Sequence, residues 1–253
     1  NTGGADTALF AVASSTGALT FSTAPDYDSG TACAAGNSCV VILTATSGSL
    51  TDTITVTVAI TNANDNSPTD MALSAASAAE NAAAGADIGT LSTTDGDASG
   101  NAHVYTLVTD SGGATAYSGT DFALDSAVLE VGSSPSFDYE TTTSYTVYVK
   151  VADGSNTAYV EGFTISITDV NDNTPVFSAG STATPSVEEG ATTVATYAAT
   201  DADGTSAHNT VTYTNTGGAD TALFAVASST GALTFSTAPD YDSGTACAAG
   251  NSC

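Results

Sequence analysis

Several runs of the chain alternate apolar and polar residues with a period of two, which is the spacing of a strand with one buried face. The clearest are TITVTVAI at 53–60, YTVYVKV at 145–151 and FTISI at 163–167. Clusters of Gly, Asp, Asn and Ser separate these runs, and no run of ten or more residues has the period of an amphipathic helix. The pattern therefore predicts an all-β protein of half-buried antiparallel strands, whose inward side chains are Ile54, Val56, Val58 and Ile60; Tyr145, Val147, Val149 and Val151; and Phe163, Ile165 and Ile167.

The chain also repeats itself. Residues 1–39 recur without a change as residues 215–253, at an offset of 214. Within this period two similar junctions, TNANDNSP at 61–68 and TDVNDNTP at 168–175, stand 107 residues apart when measured from Asn64 to Asn171. The repeat unit thus divides into two domains of equal length, and that length suits an immunoglobulin-like sandwich.

The two junctions set the expected domain boundaries. Residues 1–62 are the C-terminal part of one domain, 63–172 a complete domain, and 173–253 the N-terminal part of the next. We expect the sequence to be cut from a longer tandem array, the alternative being a two-copy protein or an artificial boundary. The missing parts then come from the same continuous chain, which we expect, or from strands donated by a neighbouring subunit.

Charge narrows the possible partners. The chain has 27 Asp and Glu against one Lys and no Arg, for a formal net charge of −26. This balance argues against nucleic acid, anionic membranes and phosphorylated substrates, and favours cations. Its 42% hydrophobic content supports packed cores, and no apolar run approaches the ~18 residues that span a bilayer. An extracellular β-protein without membrane insertion fits this composition.

The four cysteines occur in two TACAAGNSC segments, as Cys33 and Cys39 and as Cys247 and Cys253. Zinc sites of the common types need further Cys or His ligands that are missing nearby, whereas a disulfide needs only the two thiols. We expect each segment to close a short loop with a structural disulfide, which indicates an oxidising compartment and a stabilisation of about 2 kcal/mol.

Acidic motifs recur in the same order in both kinds of domain. In the complete domain they are AAEN, DGDASGN, FDYE, VADG and the closing DVNDN. In the other domain they are VEEG, DADGTSAHN, PDYDS and the closing NANDN. An acid in one such motif is commonly simple turn chemistry, but an ordered set at domain-length spacing indicates a shared site.

This ordered set resembles the cadherin family, whose repeats carry a strand-A Glu, a D-x-D, a D-R-E, an A-x-D and a closing D-x-N-D-N-x-P. The resemblance covers essentially the whole chain. It implies a fold of tandem seven-stranded Greek-key sandwiches, with up to about three calcium ions clasped at each junction between domains.

The resemblance also implies the calcium ligands, position by position. The junction after the complete domain would use Glu80, Asp138, Glu140, Val170, Asn171, Asp172, Asn173, Asp201, Asp203 and Asn209. The other junction would use Glu189, Asp26, Asp28 or their copies Asp240 and Asp242, with Ala63, Asn64, Asp65, Asn66, Asp95, Asp97, Asn101 and Asp153.

The sequence departs from the family pattern at three positions. Ser47 stands where Asp153 stands in the complete domain, Asp28 is one methylene shorter than the family's Glu, and Asn62 replaces the first linker Asp, Asp169. The two junctions should therefore differ in calcium affinity.

General electrostatics supports the same assignment. Two carboxylates about 4 Å apart repel by roughly 4 kcal/mol at an effective dielectric constant of 20. A hard divalent cation removes this repulsion, and mixed carboxylate, amide and carbonyl oxygens suit calcium better than magnesium or zinc. His103 and His208 follow two of the acidic loops; with no third histidine and no nucleophile beside them, we expect ordinary packing or surface positions.

The expected function is a calcium-rigidified extracellular fibre, structural or adhesive, in which same-type domains of a continuous array or of neighbouring subunits are the partners. The near absence of Lys and the identical repeats look like a prokaryotic surface polymer. The alternative is an adhesin module that binds carbohydrate or protein on a cell surface. No nucleophile, acid–base pair or cofactor motif supports an enzyme.

Overall fold

A computed structural model describes residues 3–97, 102–243 and 247. Apart from two 3₁₀ helices of one turn each, at Thr7–Leu9 and Thr221–Leu223, the regular structure of these residues consists of strands. None of the helices in this part of the chain is long and apolar enough to cross a membrane. The all-β class predicted from the alternating pattern is confirmed.

The chain divides into two compact units. The first contains Asn1–Ala76, Ala84–Pro135 and Thr146–Thr164, and the second contains Ser77–Ala83, Ser136–Tyr145 and Ile165–Cys253. The acidic linker at 61–68 lies in the first unit, and the linker at 168–175 lies in the second. Each linker and the acidic residues grouped around it therefore belong to one unit.

The N-terminal part of the first unit forms two hairpins. Strand β3 pairs with β4 along their full lengths, from Ser38 opposite Ala59 to Ser47 opposite Leu50. The two-residue loop between them begins at Gly48, whose φ of 60° is readily adopted only by glycine. In the other hairpin, Phe10 lies opposite Phe21. The strands are β1 (Phe10–Val12), β2 (Leu19–Phe21), β3 (Ser38–Ser47) and β4 (Leu50–Ala59).

An apolar cluster joins the two hairpins. Its buried members are Phe10, Cys33, Cys39 and Val41, and Val56, Val58 and Ile60 pack against them. The prediction that Ile54 shares this buried face is wrong, because its side chain is 61% exposed. The cluster covers the end of β4 near Ile60, and among the described strands β4 pairs only with β3. Ile54 lies beyond the covered end.

The middle of the chain forms two four-stranded sheets. One has the strand order β5-β7-β10-β9, and the other has the order β6-β12-β11-β8. Most pairs are antiparallel, but β6 pairs with β12 in parallel, with Ser77 opposite Ser166. The strands are β5 (Asp70–Leu73), β6 (Ser77–Ala79), β7 (Asp87–Thr94), β8 (Val104–Val108), β9 (Phe122–Asp125), β10 (Val128–Val131), β11 (Ser144–Ala152) and β12 (Tyr159–Thr168).

The core between these sheets follows the predicted alternation. Met71 and Leu91 of one sheet cluster with Val149 and Val151 of the other, and all four are buried. Ile165 and Ile167 of β12 are buried as well. The fold is an immunoglobulin-like sandwich, and its strand count exceeds the expected seven by one because β5 and β6 are separate short strands that pair in different sheets.

The C-terminal part of the second unit repeats the first hairpin. Phe224 pairs opposite Phe235, with ring centroids 4.6 Å apart, just as Phe10 pairs opposite Phe21 at 4.4 Å. Identical sequence has therefore folded in the same way twice. The strands are β13 (Val176–Phe177), β14 (Thr193–Thr196), β15 (Ala199–Thr200), β16 (Phe224–Val226) and β17 (Ala232–Phe235), in sheets β13-β15 and β14-β17-β16.

Of the two expected disulfides, one lies wholly in the described region. A disulfide joins Cys33 to Cys39, whose Cα atoms are 5.0 Å apart. Both residues are buried in the N-terminal apolar cluster. Cys247 is buried as well, and its expected partner Cys253 lies outside the described residues.

Candidate metal centres

The second unit gathers three carboxylates from separate parts of the chain. Glu80, Glu140 and Asp169 each place one oxygen within 4.8 Å of the others. Glu80 directly follows β6 and Asp169 directly follows β12. Because these two strands are parallel neighbours, both residues emerge at the same edge of the sheet.

Both oxygens of Glu80 are held by the backbone. The Val170 N–H donates to Oε1 at 2.6 Å, and the Tyr139 N–H donates to Oε2 at 2.8 Å. The residue is only 3% exposed. One buried carboxylate therefore fixes both the linker and the turn that carries Glu140.

Asp169 is almost fully buried, with a side chain 3% exposed. Its Oδ2 accepts hydrogen bonds from the Thr205 N–H at 3.0 Å and from the Thr205 hydroxyl, and it lies 3.0 Å from His208 Nδ1. Its Oδ1 is buried without a hydrogen-bond partner. Such an orphaned acceptor is uncommon in a folded protein.

Asp203 is a second buried carboxylate with one satisfied and one orphaned oxygen. Its Oδ1 accepts hydrogen bonds from the Asn173 backbone N–H at 3.1 Å and from the Asn173 side-chain amide at 3.0 Å. Its Oδ2 is buried without a partner, and the residue is 2% exposed. Both Asp169 and Asp203 thus keep an oxygen that no protein group satisfies.

Burial, hydrogen bonds and neighbouring negative charges shift the pKa values of three carboxylates in the second unit. Partial desolvation raises the pKa of Glu140, and repulsion from Glu80 and Asp169 raises it further. The pKa of Asp169 is lowered, first by the hydrogen bond from the Thr205 hydroxyl. For Asp203, burial raises the pKa, but the hydrogen bonds from Asn173 and neighbouring backbone outweigh it and the net direction is down. Of these three carboxylates, Glu140 is the one whose pKa is raised, and the negative charges of Glu80 and Asp169 contribute to that shift.

The first unit holds two further groups of three carboxylates. One consists of Asp95, Asp97 and Asp153, and the other of Asp28, Asp65 and Asp97, each with oxygens within 4.8 Å of one another. Asp97 belongs to both groups, so a cation in either position would have this residue as a ligand.

Asn156 holds this double cluster together. Its Nδ2 lies 2.7 Å from Asn64 Oδ1, 2.7 Å from the Asn66 carbonyl oxygen and 2.8 Å from Asp153 Oδ2. The Asn156 backbone N–H is also the main reason that the pKa of Asp153 is lowered. The linker is thereby tied to the loop after β11.

The two linkers use one geometry. Asn66 donates to Asp97 Oδ1 through its backbone N–H at 3.3 Å and its side-chain amide at 3.0 Å. Asn173 donates to Asp203 Oδ1 in the same two ways. The repeated NDN motif thus orients the second Asp of each D-x-D motif.

A fourth group lies on the surface of the second unit. Glu189, Asp240 and Asp242 have oxygens within 4.8 Å of one another, and all three are exposed. The Tyr241 N–H donates to Glu189 Oε2 at 2.9 Å. This contact matches that of Tyr139 with Glu80, so the E and D-Y-D/E motifs associate in the same way in both domains.

Several predicted ligands make hydrogen bonds to residues outside the groups of three. Asp172 Oδ2 accepts a hydrogen bond from the Asn81 amide at 2.5 Å, and Asp138 accepts from the N–H and hydroxyl of Thr141. Asn101 lies outside the described residues. The predicted carboxylates that belong to none of the groups of three are Asp26, Asp138, Asp172, Asp201 and Asp203.

Two residues at the clusters, Asp169 and Asn156, were not among the predicted site residues. Asp169 stands in the TDVNDNTP motif. The sequence signal that could have identified it is the Asn62 that takes its place in the other linker. The histidines, for which ordinary packing or surface positions were expected, lie beside acidic residues: His103 Nε2 is 3.1 Å from Asp95 Oδ2, and His208 contacts Asp169. No sequence signal distinguished Asn156 from a turn residue.

The candidate ligand atoms are all oxygens. Every candidate ligand atom in the four groups is a carboxylate oxygen, and amide and carbonyl oxygens lie beside them. Oxygen sets of this mixed type suit calcium, whereas zinc favours nitrogen and sulfur. The orphaned oxygens of Asp169 and Asp203 provide acceptors that a bound cation would satisfy, so the residues present fit calcium.

Known proteins resemble this chain in sequence and in fold. No family model matches the sequence. Human Protocadherin-1 is 34% identical over 163 residues, which are 61% of this chain and 14% of that protein, so the chain spans about a seventh of its length. The human Desmocollin-1 ectodomain superposes with a TM-score of 0.64 at 20% identity, covering 93% of this chain and 45% of that one.

A second solved structure agrees. The Protocadherin γB7 EC3-6 cis-dimer has a TM-score of 0.61 at 20% identity and covers 95% of this chain and 56% of that one. The ordered acidic motifs, the sandwich fold and the protocadherin relatives agree. The chain is similar in sequence to protocadherins, and its fold is that of cadherin ectodomains.

Proposed function

We propose that this chain is an adhesive or structural extracellular array, a fibre in its extended form, whose repeats are stiffened by calcium bound at the two acidic linkers. The observation that carries the proposal is the pair of buried, unpartnered oxygens, Asp169 Oδ1 and Asp203 Oδ2, close to a linker with other carboxylates. The domains of the array are residues 1–62, 63–172 and 173–253.

At the second linker, Glu80, Glu140 and Asp169 would hold a cation, with Asp203 adding a further oxygen. At the first linker, Asp97 would be shared between a position with Asp95 and Asp153 and a position with Asp28 and Asp65. The remaining motif residues, including Asp138, Asn171 and Asp172, complete the proposed ligand sets of up to about three ions per linker. A bound calcium ion would compensate the negative charge of the carboxylates that converge at each linker.

The stiffening follows from where the ligands stand in the sequence. Glu80 and Glu140 precede the linker at 168–175, Asp169 lies in it, and Asp203 follows it. Without a cation, like charges drawn from these separate stretches repel one another. A bound cation reverses the sign of that interaction, so it resists any motion that separates the stretches.

Same-type domains are the proposed partners. A structurally similar protocadherin fragment was solved as a cis-dimer, which supports association between like domains. The role proposed here is therefore mechanical and adhesive rather than catalytic.

Small-angle scattering and limited proteolysis of the intact chain test the calcium proposal. In excess calcium the maximum dimension should be well defined and the linkers resistant to protease. In excess chelator the scattering should broaden, and cleavage should appear at 61–68 and 168–175. Magnesium at the same ionic strength is the control. Identical scattering and cleavage in calcium and chelator would overturn the proposal.

A further inference from the structure

The ring of Tyr139 lies against Gly204, and the two residues stand on opposite sides of the second linker. Tyr139 precedes the linker at 168–175, and Gly204 follows it. Both residues belong to the second unit. A Cβ atom placed on Gly204 would lie 2.5 Å from Tyr139 Cε1 and 2.7 Å from Tyr139 Cδ1. Carbon atoms in contact settle about 3.5–4.0 Å apart, so only a glycine leaves room for the ring here.

Space, and not backbone conformation, is what requires glycine at this position. The φ angle of Gly204 lies outside the left-handed region that favours glycine. An alanine in its place therefore brings no backbone strain of its own. Its effect is confined to the contact with the ring, which makes the contact separately testable.

The backbone that carries the ring is fixed. The Tyr139 N–H donates to Oε2 of the buried Glu80 at 2.8 Å, and the tyrosine itself is half-buried. The next residue, Glu140, accepts the Gly204 N–H through Oε1 at 3.0 Å. Two consecutive residues of one motif thus hold the same glycine, the first by packing and the second by a hydrogen bond.

The turn that carries Gly204 is fixed as well, through the residues on either side of it. Asp203 Oδ1 accepts two hydrogen bonds from Asn173 in the linker. The Thr205 N–H donates to Asp169 Oδ2 at 3.0 Å. Three successive residues of the turn are therefore held by groups in or before the linker, and the ring meets a surface that is already in place.

We propose that the packing of Tyr139 on Gly204 is a clasp that holds the two sides of the second linker together without calcium. The contact joins ring carbons to a glycine, so it needs no cation and no change of charge. In the clasp Tyr139 is a positioning residue, because it keeps Glu140 beside the turn. The clasp slows opening of the linker in the absence of calcium, when the carboxylates of Glu80, Glu140 and Asp169 repel one another.

Limited proteolysis of the intact chain in excess chelator tests the clasp. Gly204→Ala inserts a Cβ into the contact and Tyr139→Ala removes the ring, so each should raise the rate of cleavage at 168–175 about fivefold by increasing the open fraction. Tyr139→Phe keeps both contacting carbons and should match the unaltered chain. Gly217→Ala is the glycine control, because a Cβ there would meet nothing within 4 Å. Cleavage at 61–68 is the internal reference and should not change.

The double variant Tyr139→Ala/Gly204→Ala gives the sharper result. It should be cut no faster than either single variant, because both substitutions remove one shared contact. Hydrogen exchange should show the amide of residue 204 losing protection in each single variant, while the amides of β11 stay protected.

Three results would overturn the clasp: an unchanged cleavage rate in Gly204→Ala, a Tyr139→Phe variant that is cut as fast as Tyr139→Ala, or effects that add in the double variant. All of these measurements are made in chelator. A chain that failed to bind calcium would leave them as they are, so the clasp and the proposed calcium stiffening fail separately.

Discussion

Replacing Glu80 with alanine removes the acceptor for two buried backbone donors. The N–H groups of Val170 and Tyr139 bond its two oxygens at 2.6 and 2.8 Å, and the side chain is 3% exposed. A hydrogen bond to a charged group contributes about 1.5–3 kcal/mol. Removing one carboxylate also relieves repulsion with its neighbours, so the expected loss is near the lower end for two bonds, about 3 kcal/mol.

Glu189→Ala provides a matched comparison. Glu189 makes the same contact with the N–H of Tyr241 at 2.9 Å, but it is exposed and water can replace it. Its removal should cost less than about 1 kcal/mol. The two variants thus remove the same side chain from the same motif and differ mainly in burial.

Hydrogen exchange of the intact chain in chelator is the appropriate assay, because it reports the two amides individually. The amides of Val170 and Tyr139 should lose protection in Glu80→Ala by about two orders of magnitude, and that of Tyr241 should change little in Glu189→Ala. Equal losses in the two variants, or unchanged protection at Val170, would refute the reasoning from burial.

Two further predictions concern charge. The folded-state pKa of Glu140 is raised. In chelator the native chain should therefore lose stability relative to Glu140→Gln as pH rises through that pKa, whereas in calcium the native chain should be the more stable of the two. Denaturant titrations from pH 4 to 7 measure this difference in stability. A constant difference across that range would contradict it. Asp97→Asn removes a shared ligand and should weaken calcium binding at the first linker at least tenfold. Asp110→Asn is the control, because the Asp110 carboxylate is exposed and belongs to none of the groups, and it should leave calcium binding unchanged. Calcium titration compares the two variants, and equal affinities would contradict the sharing of Asp97.

The strands were predictable wherever a complete sandwich surrounds them. Val147, Val149 and Val151 are buried as their alternation requires. The same pattern failed at Ile54, because alternation identifies which side chains share a face but not whether another strand covers it. That depends on partners distant in the sequence.

The candidate site was predicted in outline. Order and spacing of the motifs placed Asp95, Asp97 and Asp153 in one predicted ligand set, and the structure brings their oxygens within 4.8 Å of one another. They could not show that Asp172 accepts a hydrogen bond from Asn81. Asp169 and Asn156 were missed for a related reason. Their importance comes from burial and from hydrogen bonds to residues far along the chain, and short motifs carry neither.

Isothermal titration of the intact, metal-free chain with calcium tests the central claim most directly. The account predicts saturable binding at both linkers, tighter than magnesium binding. Asp97→Asn should weaken only the sites at 61–68, and Asp169→Asn only those at 168–175. Absence of saturable calcium binding, or binding that neither variant alters, would contradict the claim that these oxygen clusters hold calcium.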